Sequence, residues 1–250
     1  MRRASLCFIG AGFQATTNIY PSVVEAGIEI KAIATRNKKN SKATLVRFGS
    51  EGNAYDNIDE MLKNEECDGV VIVAQPEDMS AMVIKCIEAG KNVFAEKPLG
   101  LTAIEAKDLS DRAERAGVIL MVGFMKRYAP SYLKLKELIA SKELGNVKSF
   151  NVDFAVNSTE FCKSEEDYLK LAAIHIVDLM RYLFGEAIGV SGFKSIEGSN
   201  LSQSISLKFE SGTVGSAYFV GMDAWSRERE NILVEKHLRL QAKTMSKQWN

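Results

Sequence analysis

The 250-residue chain is 46% hydrophobic and carries 32 Lys+Arg against 32 Asp+Glu, a formal net charge of zero. That apolar content supports one large domain or two modest ones, and the balanced charge excludes the basic face that nucleic acid or anionic lipid would need. The expected partner is a small molecule, with no nucleic acid and no membrane.

The start, Met1-Arg2-Arg3 before an apolar run, superficially resembles a secretory leader, but Gly10, Gly12 and Gln14 interrupt it and no small-residue cleavage site follows. It is expected to be a buried strand. No apolar run reaches the roughly 18 residues of a membrane helix, so a cytoplasmic location is expected. Cysteines 7, 67, 86 and 162 are scattered without paired spacing and only two histidines occur. Neither a disulfide framework nor a metal site is expected, and Cys7 and Cys86 read as packing residues.

Along the chain, Ser5 to Ile9 reads as a short apolar strand, followed by glycines and a helix from about Gln14 to Ala26. A strand from Ile28 to Thr35 precedes a charged helix near Ser41 to Phe48, and the β-branched run Val70 to Ala74 has the character of a strand buried on both faces. Helix Met79 to Ala89 stops at Gly90; strand Asn92 to Ala95, helix Ile104 to Ala116 and strand Val118 to Val122 complete the alternation. Strands alternating with helices predict a parallel sheet covered on both faces.

After residue 123 the rhythm changes. A helix from Ser131 to Ser141 follows Pro130, then come a strand from Val147 to Val156, an irregular stretch from Asn157 to Glu165 and a helix from Asp167 to Phe184. Segments near Ile188 to Phe193, Ser202 to Phe209 and Thr213 to Val220 are β-rich and separated by Gly or Ser turns. The expected architecture is therefore α/β: a doubly wound Rossmann domain over residues 1–123, then an α+β domain with an open, mostly antiparallel sheet over residues 124–250.

Gly10-Ala11-Gly12-Phe13-Gln14-Ala15 lies between the first strand and the first helix, the setting of a dinucleotide loop with Ala at the third small position. Gly10 permits the turn, Gly12 lets backbone approach a pyrophosphate, and the helix start offers N–H groups and positive dipole to the phosphates. A loop specific for NAD usually has an acid about 20 residues on, for the ribose 2′-hydroxyl. Here the second strand ends Ala34-Thr35-Arg36, with Lys38 and Lys39 nearby. A 2′-phosphate suits that group, so NADP is preferred over NAD, unless the cations merely solvate a helix start.

Glu96-Lys97-Pro98-Leu99-Gly100 follows the fourth strand of this reading, and it has companions: Ala74-Gln75-Pro76, Gly123-Phe124-Met125-Lys126-Arg127-Tyr128, and His175-Ile176-Val177-Asp178 before Arg181-Tyr182-Leu183-Phe184-Gly185. Over roughly residues 4–228 the chain resembles the oxidoreductase family of glucose-fructose oxidoreductase and inositol 2-dehydrogenase, Gfo/Idh/MocA. The resemblance implies hydride transfer between a nicotinamide cofactor and a sugar, polyol, inositol or sugar derivative bound between the domains. It implies a Lys97–Pro98 bond that is commonly cis, and homo-oligomers formed through the C-terminal sheet. Lys97 and His175 would be catalytic, with Gly10, Gly12, Phe13, Gln14, Thr35, Arg36, Ala74, Pro76, Glu96, Lys97 and Arg127 at the cofactor. From the residues alone Arg127 equally suits a structural brace, and Asp178 either orients His175 or makes a packing contact.

Two departures stand out. Many members have Asp four residues before the histidine, where this chain has Leu171, and the polar end, Lys236 to Asn250, replaces expected further strands, so a shortened substrate domain is expected. Both keep open an alternative, a catalytically impaired dinucleotide-binding sensor or subunit.

Overall fold

The computed structural model describes residues 3–141, 145–222, 228–235 and 239–245. The chain divides into two compact units, Met1–Gly123 and Phe124–Asn250.

In the first unit, strands β1 (Ser5–Ile9), β2 (Glu29–Ala34), β3 (Asn53–Tyr55), β4 (Gly69–Ile72), β5 (Val93–Ala95) and β6 (Leu120–Val122) form one sheet in the order β3-β2-β1-β4-β5-β6. Every pairing in it is parallel. Such a sheet must bury both faces, and β4, Gly-Val-Val-Ile, is buried throughout. One core gathers Cys7, Ile9, Val70 and Ile72 with helical residues such as Met79 and Leu109; the other gathers Phe8, Ile33 and Val71 with Tyr20 and Leu45.

The helices are α1 (Tyr20–Glu25), α2 (Lys38–Arg47), α3 (Ile58–Asn64), α4 (Pro76–Glu88) and α5 (Ala103–Ala116). Their ends follow local chemistry. Pro76 occupies the first turn of α4, where its missing N–H costs nothing. Thr102 and Glu105 form a reciprocal cap on α5, which Gly117 ends at φ +67°. The expected single helix from Gln14 instead contains a π-helical stretch, Ala15–Ile19, before α1. β3 and α3 lie in a stretch that the sequence reading left without elements.

In the second unit, a 3-10 turn (Met125–Tyr128) leads to α6 (Pro130–Ala140), β7 (Ser149–Val156), the short α7 (Glu165–Asp167), a π-helical stretch (Tyr168–Ala173) and α8 (Ile174–Phe184). Strands β8 (Ala187–Glu197), β9 (Asn200–Phe209), β10 (Val214–Gly221), β11 (Arg229–Glu235) and β12 (Arg239–Met245) follow, and the sheet order is β12-β11-β7-β10-β9-β8. The sheet is mixed: β7 pairs parallel with β10, and the other four pairings are antiparallel. Its inner face buries Phe150, Val152, Phe154, Phe219 and Ile232 with Tyr132, Ile176, Leu179 and Leu183. Strand β8 is exposed along its whole length.

Strands β11 and β12 lie where the sequence reading placed none, β12 within the polar end, while residues 236–238 and 246–250 lie outside the described residues. Among the described residues no helix is long and apolar enough to cross a membrane, and no cluster of three His, Cys, Asp or Glu is arranged to hold a metal.

Candidate active site

Five strands of the parallel sheet end in register, Ile9 beside Ala34 and Ile72, Ile72 beside Ala95, and Ala95 beside Val122. The next residue of each strand continues the ladder. Gly10 N donates to Ala34 O at 2.9 Å, Val73 N to Ile9 O at 2.9 Å, Glu96 N to Ile72 O at 2.9 Å and Gly123 N to Ala95 O at 2.8 Å. One edge thus carries the glycine loop, Thr35–Arg36, Ala74–Pro76 and Glu96–Lys97. The strand order reverses between β1 and β4, the place where open α/β sheets bind ligands.

The two loop glycines serve different needs. Gly10 has φ +101°, and a Cβ built on it would overlap the Val73 carbonyl oxygen, so the turn tolerates no side chain. Its own carbonyl accepts from Tyr20 OH at 2.9 Å, which anchors the turn to α1. Gly12 is the converse: a Cβ there would meet no protein atom within 4 Å. Backbone bare of side chain and facing open space is what a pyrophosphate requires, so the loop fits a dinucleotide. Phe13 beside it is 81% exposed.

Gln14 links this loop to the next strand end. Its Oε1 accepts from Asn18 Nδ2 at 2.9 Å, and its side chain lies close enough to Glu96 to favour the ionised carboxylate. Glu96 is buried, and its Oε2 accepts from the Lys97 amide at 3.1 Å. A Cβ on Gly123 would lie 3.1 Å from the same carboxylate, so glycine leaves the room Glu96 occupies. The sequence shows Gly123 at a strand end but not this contact. The half-buried Lys97 follows, and the Lys97–Pro98 bond is cis.

Burial pushes the Glu96 carboxyl above its ordinary value, against the Lys97 amide, the Lys97 charge and Gln14, which favour the ionised form. A folded-state value above the unfolded one gives a stabilising contribution that is full below the unfolded value and lost as pH rises through the folded one. Stability should therefore decline as pH climbs from the ordinary carboxylate range, and Glu96→Gln should flatten that decline. Thermal unfolding across pH checks this, and parallel profiles for parent and variant would refute it.

At the end of β2, Thr35 Oγ1 donates to Asn37 O at 2.8 Å, accepts from Asn37 N at 3.2 Å and lies 3.0 Å from Ser41 Oγ. The hydroxyl thus shapes the turn into α2. Arg36 is exposed. Asn37 caps α2 by accepting from Lys39 N, and the first turn of that helix has no acid. Ala74 and Pro76 are half-buried where β4 passes into α4.

The second unit holds the remaining candidates. Both Asp178 carboxylate oxygens accept from the Arg127 guanidinium, with Nε to Oδ2 at 2.7 Å. The same guanidinium lies 5.3 Å from the Tyr182 ring centre and 5.9 Å from that of Phe124. His175, half-buried near the start of α8, meets Phe124 edge to face at 6.5 Å. Leu171, in the π-helical stretch, packs partly buried against the core.

One buried ion cluster has no signal in the sequence. Lys126 Nζ, inside the unit, donates to Glu228 at 2.7 Å and to the fully buried Glu230, which also accepts from Tyr132 OH.

A doubly wound parallel sheet whose glycine loop and Glu-Lys-Pro turn share its ligand edge defines a dinucleotide-binding Rossmann protein, here continued by a mixed sheet. Residues 5–124 match the oxidoreductase family with an NAD-binding Rossmann fold, and residues 132–236 match the GFO/IDH/MocA C-terminal domain. The chain belongs to the GFO/IDH/MocA oxidoreductase family. It is 31% identical over 216 residues to scyllo-inositol 2-dehydrogenase (NAD(+)) of Bacillus subtilis strain 168, covering 82% of this chain and 62% of that protein. It is 27% identical over 164 residues to inositol 2-dehydrogenase of Salmonella typhimurium, covering 64% of this chain and 48% of that protein. The chain thus spans less than two thirds of these relatives. A dehydrogenase structure from Chromobacterium violaceum superposes with a TM-score of 0.88 at 23% identity, covering 97% of this chain and 73% of that one.

Proposed function

We propose that the chain binds a nicotinamide dinucleotide and transfers a hydride between it and a CH–OH group of a sugar, polyol, inositol or sugar derivative. The observation that carries this reading is the pairing at one sheet edge of a glycine loop open to a phosphate with the Glu96–Lys97 turn. Gly10, Gly12, Phe13 and Gln14 would hold the pyrophosphate, Thr35 and Arg36 the adenosine ribose, Ala74 and Pro76 the wall beside it, and Glu96 and Lys97 the nicotinamide end. The bound nicotinamide supplies the hydride acceptor or donor. Lys97 holds the substrate oxygen, stabilises negative charge growing there and takes or returns its proton. His175 shares the proton traffic and substrate binding. Since Asp178 holds its guanidinium, Arg127 is better suited to bracing α8 against the 3-10 turn than to contacting cofactor. The dehydrogenase names of the relatives favour turnover over a sensor role.

The test is single-turnover oxidation of bound NADPH or NADH across ketoses, aldoses and inosose-type ketones; no oxidation with any of them would sink the reading. Within it, Lys97→Met should leave dinucleotide affinity within a few-fold and lower turnover by about 10² or more, the scale of a positioned acid/base group. Near-full kcat in that variant would remove Lys97 from the chemistry.

NADP is the preferred cofactor in this reading. Lys38 and Lys39 stand at the positive end of α2 with no acid in the first turn, an arrangement that an anion would relieve, and Arg36 is exposed beside them. Arg36→Asp should turn a preference for NADPH into one for NADH in equilibrium titrations, whereas unchanged affinities would refute the assignment. A second copy of the chain is the proposed macromolecular partner. The sheet is open on its outer side, where Phe193 is 89% exposed and Val214 and Tyr218 are also exposed. A cytoplasmic setting suits these roles.

A further inference from the structure

The glycine loop is tied back at two carbonyls to the helical segment that follows it. Gly10 O accepts from Tyr20 OH at 2.9 Å, and Gly12 O accepts from both Thr16 N and Thr16 Oγ1 at 3.0 Å. Tyr20 is fully buried, so the Gly10 carbonyl that meets its hydroxyl points into the core of the unit. The ring is held on both sides. It stacks on Phe8 of β1 with 4.5 Å between centroids and on Phe48, just after α2, with 5.0 Å. Tyr20 N donates to Ala15 O, five residues back where an α-helix would reach four, so the π-helical stretch sets the azimuth at which this side chain leaves the helix.

We propose that Tyr20 and Thr16 are positioning residues for the dinucleotide, aiming the Ala11 and Phe13 N–H groups at its pyrophosphate. The inference rests on reading this sheet edge as a dinucleotide site. In a trans peptide the C=O and the following N–H point in opposite directions, and among the described residues the one cis bond is Lys97–Pro98. Drawing the Gly10 carbonyl into the core therefore turns the Ala11 N–H outward. Holding the Gly12 carbonyl along the helix likewise turns the Phe13 N–H back toward the helix start. Between the two donors a Cβ on Gly12 would meet no protein atom within 4 Å, so the side on which an anion would sit is open.

Glycine makes such anchors necessary. The Gly10–Ala11 peptide hinges on a residue without Cβ, whose dihedrals rotate at little steric cost, and a rotated plane would present a carbonyl oxygen to the phosphates in place of an N–H. Oxygen repels a phosphate that N–H groups and the helix dipole attract. The Tyr20 hydroxyl opposes the rotation, because it would leave the buried hydroxyl and the carbonyl without each other. Burial pushes that hydroxyl well above the ordinary tyrosine range, so it stays a donor at any working pH.

The test is equilibrium titration of the intact protein with NADH, NADPH and adenosine, with amide NMR of the loop. In the parent, the Ala11 and Phe13 amide protons should move downfield on binding NADPH. Tyr20→Phe keeps the ring and its stack and should weaken both dinucleotides about five- to tenfold, the scale of one hydrogen bond, with a smaller downfield shift at Ala11. Adenosine, which has no pyrophosphate, should bind as it does to the parent. Thr16→Val, at a half-buried helix position, should weaken the dinucleotides by about two- to threefold, since the Thr16 amide still holds Gly12 O. A merely structural hydroxyl would lower the unfolding midpoint of Tyr20→Phe and leave all three affinities alone; that outcome, or an equal loss for adenosine, overturns the proposal. Parent amides that do not move on binding overturn it even if Tyr20→Phe fails to fold, as does unchanged affinity in Thr16→Val. A parent that binds neither NADH nor NADPH overturns the dinucleotide reading itself, whereas a parent that binds beside variants that bind equally well overturns this inference alone.

Discussion

Gly10→Ala is expected to destabilise the first unit by roughly 2–6 kcal/mol, combining the strain of a positive φ with forced overpacking, and to abolish dinucleotide binding. The methyl would collide with the Val73 carbonyl, a backbone atom fixed in the ladder by the Val73 N to Ile9 O bond. Neither side can yield without opening the β1–β4 pairing on which the cofactor edge is built. Gly12→Ala is the internal contrast: its methyl meets no protein atom, so unfolding should shift by less than about 0.5 kcal/mol while dinucleotide affinity falls tenfold or more. Denaturant melts and equilibrium titrations separate the two. Equal effects on stability, or a Gly12→Ala protein that binds as the parent does, would show that the loop does not work this way.

The second large effect is expected at Lys126. Lys126→Met leaves Glu230 buried with its counter-charge gone, and breaking a buried pair from one side costs about 3–5 kcal/mol. Glu228 is better exposed than Glu230 and can turn to water, so the penalty falls on Glu230, which then keeps, among the described residues, the Tyr132 hydroxyl as its side-chain partner. Combining Lys126→Met with Glu230→Leu should recover most of the loss, because replacing both partners by apolar groups removes the stranded charge. A single-variant loss under about 1 kcal/mol, read from denaturant midpoints, would show that water or another cation reaches Glu230.

These two cases also mark what the sequence discloses. The glycine loop, the order of the long strands and helices, and the Glu96-Lys97-Pro98 turn depend on local signals: β-branched runs, glycine stops, fixed spacing. β3 was too short to alternate, and α3, although Asn57 caps it and Asp59 and Glu60 fill its first turn, spans only seven residues. β11 was hidden by chemistry of another kind. Its inward positions are Glu230, Ile232 and Val234, and a glutamate at the first reads as surface unless Lys126 and Tyr132, about a hundred residues earlier, are known to meet it. The same long-range dependence concealed the Glu96–Gly123 contact and the commitment of Asp178 to Arg127.

The pairing of β7 in the second sheet also sets the order in which the chain can assemble. β7 lies between β10 and β11; Asn151 meets Ser216, 65 residues later, and Asp153 meets Asn231, 78 residues later. The ribosome must therefore deliver almost the whole second half before its central strand has a neighbour on either side. The first sheet closes from connections that finish by residue 122. Loops that long delay non-local pairing, so on a translating ribosome the N-terminal half should become protease-resistant first. Until β10 emerges, β7 is left as an unpaired apolar strand with both edges open, the interval in which this chain is most exposed to aggregation and most dependent on chaperones.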